Sequence, residues 1–280
     1  MESVTIRVPA TTANLGPGFD CLGIALALAN RTTVRRATGA RFDGMAREAA
    51  ALFWEASGVA EFAFGWSIEG DVPRSRGMGS SVTVRLGLLH GLNELAGRPL
   101  EAKRLFEVCA QLEGHPDNAA PAAFGGFAVS KLGADPITAP VDAALRFVLL
   151  IPDFEVATPD ARRVLPATLD RKRAVESCVN ACRVTAAFLT RDYTALRGAF
   201  IDHLHQPHRE PLIPFLPKVI AAGESAGALG GWLSGSGSTI CCLTMEDADG
   251  VAAAMLEAAD LSGARTIVTT ADNVGVQALG

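Results

Sequence analysis

A chain of 280 residues that is 49% apolar and 20% charged carries enough hydrophobic material for one large or two modest domains, which excludes disorder as its main state. Its net charge of -5 supplies no basic field, so neither a nucleic acid nor an anionic membrane surface is expected as a partner. The opening stretch MESVTIRVPA carries Glu2 and Arg7 without an apolar core, and no run of about 18 apolar residues follows, so neither export nor a membrane span is expected.

Residues 3–8 alternate apolar and polar side chains and predict a strand. Residues 9–19, PATTANLGPGF, read as a turn-rich segment too polar for the core, closed by Asp20, Cys21 and Leu22. A carboxylate at the end of a Gly-Pro-Gly turn is ordinarily a turn cap. Residues 24–29 and 31–35 predict one or two further strands, 46–57 a helix and 62–69 a strand. Residues 73–96 then read PRSRGMGSSVTVRLGLLHGLNELA. Gly77 and Gly79 flank Met78, two serines follow, and Val82, Leu86, Leu89 and Leu92 recur at the spacing of a buried helix face. Glycines bring backbone N–H groups close to a ligand, and Ser80 or Ser81 can cap the helix at its positive end, a combination suited to phosphate. An ordinary loop with an N-cap serine fits the stretch equally well.

Residues 100–113 predict a helix that stops at Gly114. Glu113, His115, Asp117 and Asn118 crowd together between that helix and a short Ala-rich turn; they form a second functional candidate, with turn capping as the alternative. Residues 127–132 read as a strand, the polar stretch 133–142 as a domain linker and 146–151 as a buried strand. Helices are expected over 158–165, 171–189, 195–203 and 216–226, followed by a strand at 228–233. The tight turn SGSGS at 234–238 leads to a strand at 239–244, a helix at 247–259 and a last strand at 265–269. This mixing argues for an α+β fold.

None of the four lysines follows a glycine, so G-x-x-x-x-G-K-[ST] is absent, and so is G-x-G-x-x-G. Instead PATTANLGPGFDCLG, RGMGSS, EGHPDNAAPAAFGGF and LSGSGST occur in the order and approximate spacing of the GHMP kinase superfamily, named for galactokinase, homoserine kinase, mevalonate kinase and phosphomevalonate kinase. The chain resembles that superfamily over almost its whole length, and its first and third motifs resemble the homoserine kinases in particular. The resemblance implies two lobes: residues 1–142, similar to ribosomal protein S5 domain 2 and binding nucleotide, and residues 143–280, ferredoxin-like, with ATP in the cleft between them. Arg76, Gly77, Met78, Gly79, Ser80 and Ser81 would wrap the phosphates through backbone N–H groups. Ser81 and Glu113 would hold Mg²⁺, with Glu107 as the alternative carboxylate. The 235–239 turn would shape the substrate side of the cleft.

The implied reaction is ATP-dependent phosphorylation of the side-chain hydroxyl of L-homoserine, on the way to threonine. Asn14, Asp20 and Asp117 match family positions that hold the amino end, with His115 adjacent, while Arg162 and Arg209 match positions that meet the carboxylate, which a planar guanidinium pairs bidentately. Asn118 falls where mevalonate kinase places an aspartate base. An amide cannot accept a proton at neutral pH, so Asn118 is expected to orient the hydroxyl, with Asp117 engaged by the ammonium. Two departures stand out. Val82, Thr83, Val84 and Arg85 follow the serines where the family usually has small alanines, which would narrow the nucleotide pocket, and Met45, Ala46 and Arg47 offer no asparagine to adenine. The six cysteines form no Cys-x-x-Cys pair and read as reduced cytosolic thiols. A cytoplasmic homodimer is implied by the resemblance. The alternatives are a GHMP kinase for another small alcohol, or a non-catalytic nucleotide or metabolite sensor on the same fold.

Overall fold

The computed structural model describes residues 2–38 and 44–279; the outer limits of the two expected lobes, Met1 and Gly280, lie outside the described residues. In chain order the elements are β1 (Ser3–Ala13), β2 (Leu22–Arg36), α1 (Gly44–Ser57), β3 (Phe64–Gly70), α2 (Ser80–Leu95), α3 (Ala102–Glu113), α4 (Ala119–Phe124), β4 (Phe127–Val129), β5 (Ile137–Ala139) and β6 (Arg146–Ile151). There follow α5 (Thr158–Arg163), α6 (Arg171–Thr190), α7 (Gln206–Arg209), α8 (Leu216–Ser225), β7 (Gly230–Leu233), β8 (Ile240–Thr244), α9 (Ala248–Ala259), β9 (Arg265–Thr269) and β10 (Gln277–Leu279).

Two antiparallel sheets result, one ordered β10-β1-β2-β4-β5 with β3 also paired to β2, the other ordered β7-β8-β6-β9. Val4, Ile6 and Val8 of β1 face a core shared with α1, α2 and α3. The register with β2 shifts between Pro9 and Ala10, and beyond that bulge Ala10 faces a different core, shared with the second sheet. At that point β2 carries two extra residues, Ala27 and Leu28, between the partners of Pro9 and Ala10, and proline, which lacks an N–H, is tolerated there. The second sheet is buried on both faces: Phe147, Leu149 and Ile151 of β6 join the core between the sheets, while Val148 and Leu150 pack beneath α8 and α9. Strand periodicity of two produces this division, and it explains why β6 reads as an unbroken apolar run.

Several sequence expectations need correction. Residues 9–13 continue β1 and are core, not turn: Thr11 and Thr12 are wholly buried. Burial is tolerated because each hydroxyl has a partner, Thr11 Oγ1 donating to Asn118 Oδ1 (2.6 Å) and Thr12 Oγ1 accepting from Trp232 Nε1 (2.9 Å). The residues after Asn118 form the short helix α4 instead of a turn. The 133–142 segment is not free linker, since β5 pairs with β4. No helix spans 195–203; a single 3-10 turn, Tyr193–Leu196, precedes irregular chain. Residues 265–269 are not the last strand, because β10 returns to pair with β1. Among the described residues no helix is long and apolar enough to cross a membrane.

Candidate active site

The 73–79 loop and the N-terminus of α2 form one wall of a cleft of about 370 Å³. Gly79, at φ 68°, takes the N-cap position, and neither serine caps α2. That corrects the sequence expectation: Ser80 Oγ accepts from the Ser75 N–H (3.3 Å), and Ser81 turns to Glu113. With no side-chain cap, the first-turn N–H groups of α2 stay available to an anion at the positive end of a four-turn helix. The loop is fixed from outside. Thr11 N–H donates to the Met78 carbonyl (3.2 Å), Ser234 Oγ donates to the Gly77 carbonyl (2.7 Å), and a Cβ on Gly77 would collide with the Ser234 carbonyl. Met78 itself is buried in the core between the sheets. Arg76 turns its side chain away from the cleft, donating to the Pro152 carbonyl (3.0 Å) beside Asp153 and Glu155. The parts of residues 76–81 that face the cleft are therefore backbone and the two serines.

Beside this wall, Glu113 closes α3 before Gly114, whose φ of 79° ends the helix. Its Oε2 accepts from Ser81 Oγ (2.8 Å), and its Oε1 accepts from the Arg85 guanidinium (2.6 Å). Arg85, one of the residues that replace the usual alanines, also reaches Glu48 of α1 (3.1 Å) and the Leu112 carbonyl (2.8 Å). It lines the cleft and ties α1, α2 and α3 around the carboxylate. A hydroxyl and a carboxylate oxygen next to phosphate-facing N–H groups are the hard-oxygen donors that Mg²⁺ takes. Glu107 instead pairs with Arg104 (3.0 Å) on the outer surface and does not line the cleft.

On the floor, Asp117 Oδ1 accepts from His115 Nδ1 (2.6 Å), the Asn118 N–H (2.9 Å) and Asn118 Nδ2 (3.3 Å). Its other oxygen accepts none of these. Burial alone would lower the His115 pKa, but the hydrogen bond to Asp117 and the charges of Asp117 and Asp20 outweigh it and raise the value. Asn118 Oδ1 is taken by Thr11, so the side this amide can offer a ligand is N–H.

The opposite wall carries the charges. Asn14, at φ 72°, accepts from the Asp20 N–H (3.0 Å) and donates to the Gly235 carbonyl (2.9 Å), so it braces the turn that presents Asp20. Asp20 pairs bidentately with Arg162 of α5, at 3.0 and 2.8 Å. Arg209, buried at the end of α7, donates to the carbonyls of Ala161 (3.1 Å) and Gly235 (2.9 Å) and to His205 Nδ1 (3.1 Å). Burial brings the His205 pKa down to about 4 against the opposing charge of Asp202, with the Arg209 charge aiding it, so the ring is neutral, its Nδ1 accepting from Arg209 and its Nε2–H donating to the Gly16 carbonyl (2.9 Å). Ligand atoms of Asp20, His115 and Asp117 lie within 4.8 Å of one another. With the Asp20 oxygens on Arg162 and His115 on Asp117, this group matches an ammonium better than a metal. Burial first, and then the Asp117 and Asp20 carboxylates, push the neighbouring Cys21 thiol up to about 11, which keeps it neutral.

One cleft thus gathers Asn14, Asp20, Gly77, Gly79, Ser80, Ser81, Glu113, His115, Asp117, Asn118, Arg162 and Arg209. Sequence reasoning missed Phe19, which lines the cleft, and Thr11 and His205, which lie buried behind it and bond to Asn118 and Arg209, although Thr11 and Phe19 lie inside the first motif and His205 four residues before Arg209.

The GHMP kinases N terminal domain family matches residues 44–126, and the GHMP kinases C terminal family matches residues 186–261. A homoserine kinase of Microchaete diplosiphon is 38% identical over 100% of this chain and 98% of its own length, and one of Halothermothrix orenii is 36% identical over 91% and 88%. The crystal structure of homoserine kinase from Cytophaga hutchinsonii superposes with a TM-score of 0.90 at 28% identity, covering 100% of this chain and 98% of that one.

Proposed function

This chain belongs to the GHMP kinases and, within them, to the homoserine kinases, and from that premise we propose how its cleft carries out the ATP-dependent phosphorylation of homoserine. The reaction moves the γ-phosphoryl group of ATP to the side-chain hydroxyl of L-homoserine and yields O-phospho-L-homoserine, a precursor of threonine. The observation that carries the reading is the pairing, in one cleft, of an uncapped helix N-terminus with a wall whose opposed charges complement an amino-acid zwitterion.

The N–H groups at the start of α2 receive the ATP phosphates, and the loop held on β1 and on the 234–238 turn keeps them aimed. Ser81 and Glu113 would hold Mg²⁺, which would neutralise charge on the phosphate oxygens. Asp117 and Asp20 receive the ammonium, with His115 fixing Asp117, and Arg162 and Arg209 receive the carboxylate. Because Asp20 also occupies the Arg162 fork, the entering zwitterion exchanges one ion pair for two, which favours substrates bearing both charges. Asn118 donates to the hydroxyl oxygen and orients it; the proton leaves to the phosphate as transfer proceeds. The lobe division at residues 142 and 143 places the phosphate loop in the first lobe and both arginines in the second. Family resemblance further supports a cytoplasmic homodimer, which sedimentation velocity tests. Phosphorus NMR of a mixture with ATP, Mg²⁺ and L-homoserine is expected to show one new phosphomonoester, O-phosphohomoserine. A mixture that yields only inorganic phosphate would overturn the reading.

Two sets of variants separate binding from chemistry. Arg162→Ala should raise KM for homoserine about 10- to 100-fold, the equivalent of roughly 1.5 to 3 kcal/mol for a lost charged hydrogen bond, and should move KM for ATP far less. Arg162 is partly exposed, so the melting temperature of the variant serves as a control for folding. Asn118→Ala should lower kcat about tenfold through lost orientation, whereas a true base is worth about 10²- to 10⁴-fold. Asp117→Asn should chiefly raise KM for homoserine. A drop in kcat of about 10³-fold at saturating homoserine, with loss of the acidic limb of the pH profile, would identify Asp117 as the base instead.

A further inference from the structure

The two arginines assigned to the carboxylate share a third neighbour. The guanidinium carbons of Arg162 and Arg209 lie over the ring of Phe19, at 5.6 and 5.3 Å from its centroid. His205, the imidazole that accepts from Arg209, stacks on the same ring at 5.2 Å and 25°. Phe19 is half-buried, lines the cleft and immediately precedes Asp20 in a tight turn where the N–H groups of Cys21 and Leu22 both donate to the Gly18 carbonyl (3.1 and 2.9 Å).

Two guanidinium groups drawn toward one anion subsite repel each other. Burial first, and the charge of Arg162 second, bring the Arg209 pKa down to about 10. Polar bonds tie the two only through the backbone, Arg209 donating to the carbonyl of Ala161, the residue before Arg162, and to Gly235 and His205, while the Arg162 side chain is held by Asp20. The feature common to both is the negative face of one aromatic ring, which attracts a cation within about 6 Å. A ring also fixes direction without consuming a hydrogen bond, so it takes no guanidinium N–H away from a carboxylate.

We propose that Phe19 is a positioning residue of the substrate site: its ring sets the separation and aim of Arg162 and Arg209 and thereby the affinity for the carboxylate of the amino-acid substrate. This rests on the reading of the cleft as a homoserine site. The same turn then serves both ends of the zwitterion, Asp20 meeting the ammonium directly and Phe19 holding the two cations that meet the carboxylate.

Steady-state kinetics of Phe19→Leu and Phe19→Tyr, with L-homoserine and with 3-aminopropan-1-ol, test this. The second alcohol keeps the amine and the hydroxyl but has no carboxylate. Phe19→Leu should raise KM for homoserine about tenfold, with a smaller change in kcat, and Phe19→Tyr, which keeps the ring face, should stay within about twofold of the wild type. The loss in kcat/KM caused by leucine should be about tenfold larger on homoserine than on 3-aminopropan-1-ol. Phe19→Met replaces the leucine variant where the latter does not fold. An unchanged KM, equal losses on the two alcohols, or equal damage from tyrosine and leucine would overturn the proposal. Wild-type protein that phosphorylates neither alcohol would overturn the kinase reading beneath it instead.

Discussion

Glu113→Gln is expected to lower kcat by about 10³-fold or more, a loss of roughly 4 kcal/mol of transition-state stabilisation, while KM for homoserine changes little. The geometry sets both parts of this expectation. One oxygen of Glu113 meets the Ser81 hydroxyl at 2.8 Å and the other meets Arg85 at 2.6 Å, so the substitution removes the charge at the point where the proposed Mg²⁺ donors converge. An amide also presents N–H to either Arg85 or Ser81, where an acceptor is needed. The proposed homoserine end of the cleft, with Asp20, Asp117, Arg162 and Arg209, makes no hydrogen bond to Glu113 among the described residues. Glu107→Gln is the control. That side chain pairs with Arg104 on the outer surface, and the variant should keep near wild-type kcat. Isothermal titration with Mg²⁺ and a non-hydrolysable ATP analogue should show weakened binding for Glu113→Gln alone. Should Glu107→Gln be the inactive variant, the metal site proposed at the end of α3 is misplaced.

Gly79→Val has the second large effect, and for a reason that the sequence only half contains. The motif implies that Gly79 needs either a positive φ or close approach to phosphate oxygens. In the fold, Gly79 has φ 68°, which a β-branched residue adopts only as an outlier, and a Cβ there would collide with the Thr11 hydroxyl and come 3.3 Å from Asn118 Oδ1. Valine therefore acts on the bond between Thr11 and Asn118 (2.6 Å) and on the seat of the loop at Thr11 N–H to the Met78 carbonyl (3.2 Å). ATP affinity should fall by at least about 100-fold, because misaimed N–H groups lose most of their charge-assisted bonds, and kcat should suffer as Asn118 is displaced. Strain of a few kcal/mol should lower the melting temperature by several degrees without changing the far-UV circular dichroism. Gly79→Ala should show the same effects in weaker form. Unchanged affinity for ATP by calorimetry in a folded Gly79→Val protein would remove the loop from the nucleotide site.

The parts of the fold legible in the sequence are those with a strong period or a fixed cap. The apolar positions Val82, Leu86, Leu89 and Leu92 are all buried on α2, and Gly114 ends α3 in the left-handed conformation. The short strands β5 and β10, of three residues each, carry too few side chains for a period to register and exist through their partners β4 and β1. The largest misreading was the PATT segment. Its threonines are polar by type and buried by circumstance, and their partners, Asn118 and Trp232, lie more than a hundred positions away. Polarity at a buried site follows from satisfied hydrogen bonds, which a linear pattern does not display. The same holds for the candidate site. The motif residues were readable because their types suit the chemistry, whereas Phe19 and His205 enter through packing against the arginines, which only the folded chain brings to one wall.

The account as a whole stands on the match between this cleft and a substrate that carries an ammonium, a carboxylate and a primary hydroxyl together. The most direct measurement is kcat/KM for L-homoserine beside its two single deletions, 3-aminopropan-1-ol without the carboxylate and 4-hydroxybutanoate without the amine, in a coupled assay for ADP. Homoserine is expected to exceed each of them by about 10²-fold or more, because either deletion forfeits one of the two ion pairs that replace the Asp20–Arg162 pair. Comparable turnover of all three, or turnover of uncharged alcohols without any of homoserine, would contradict it.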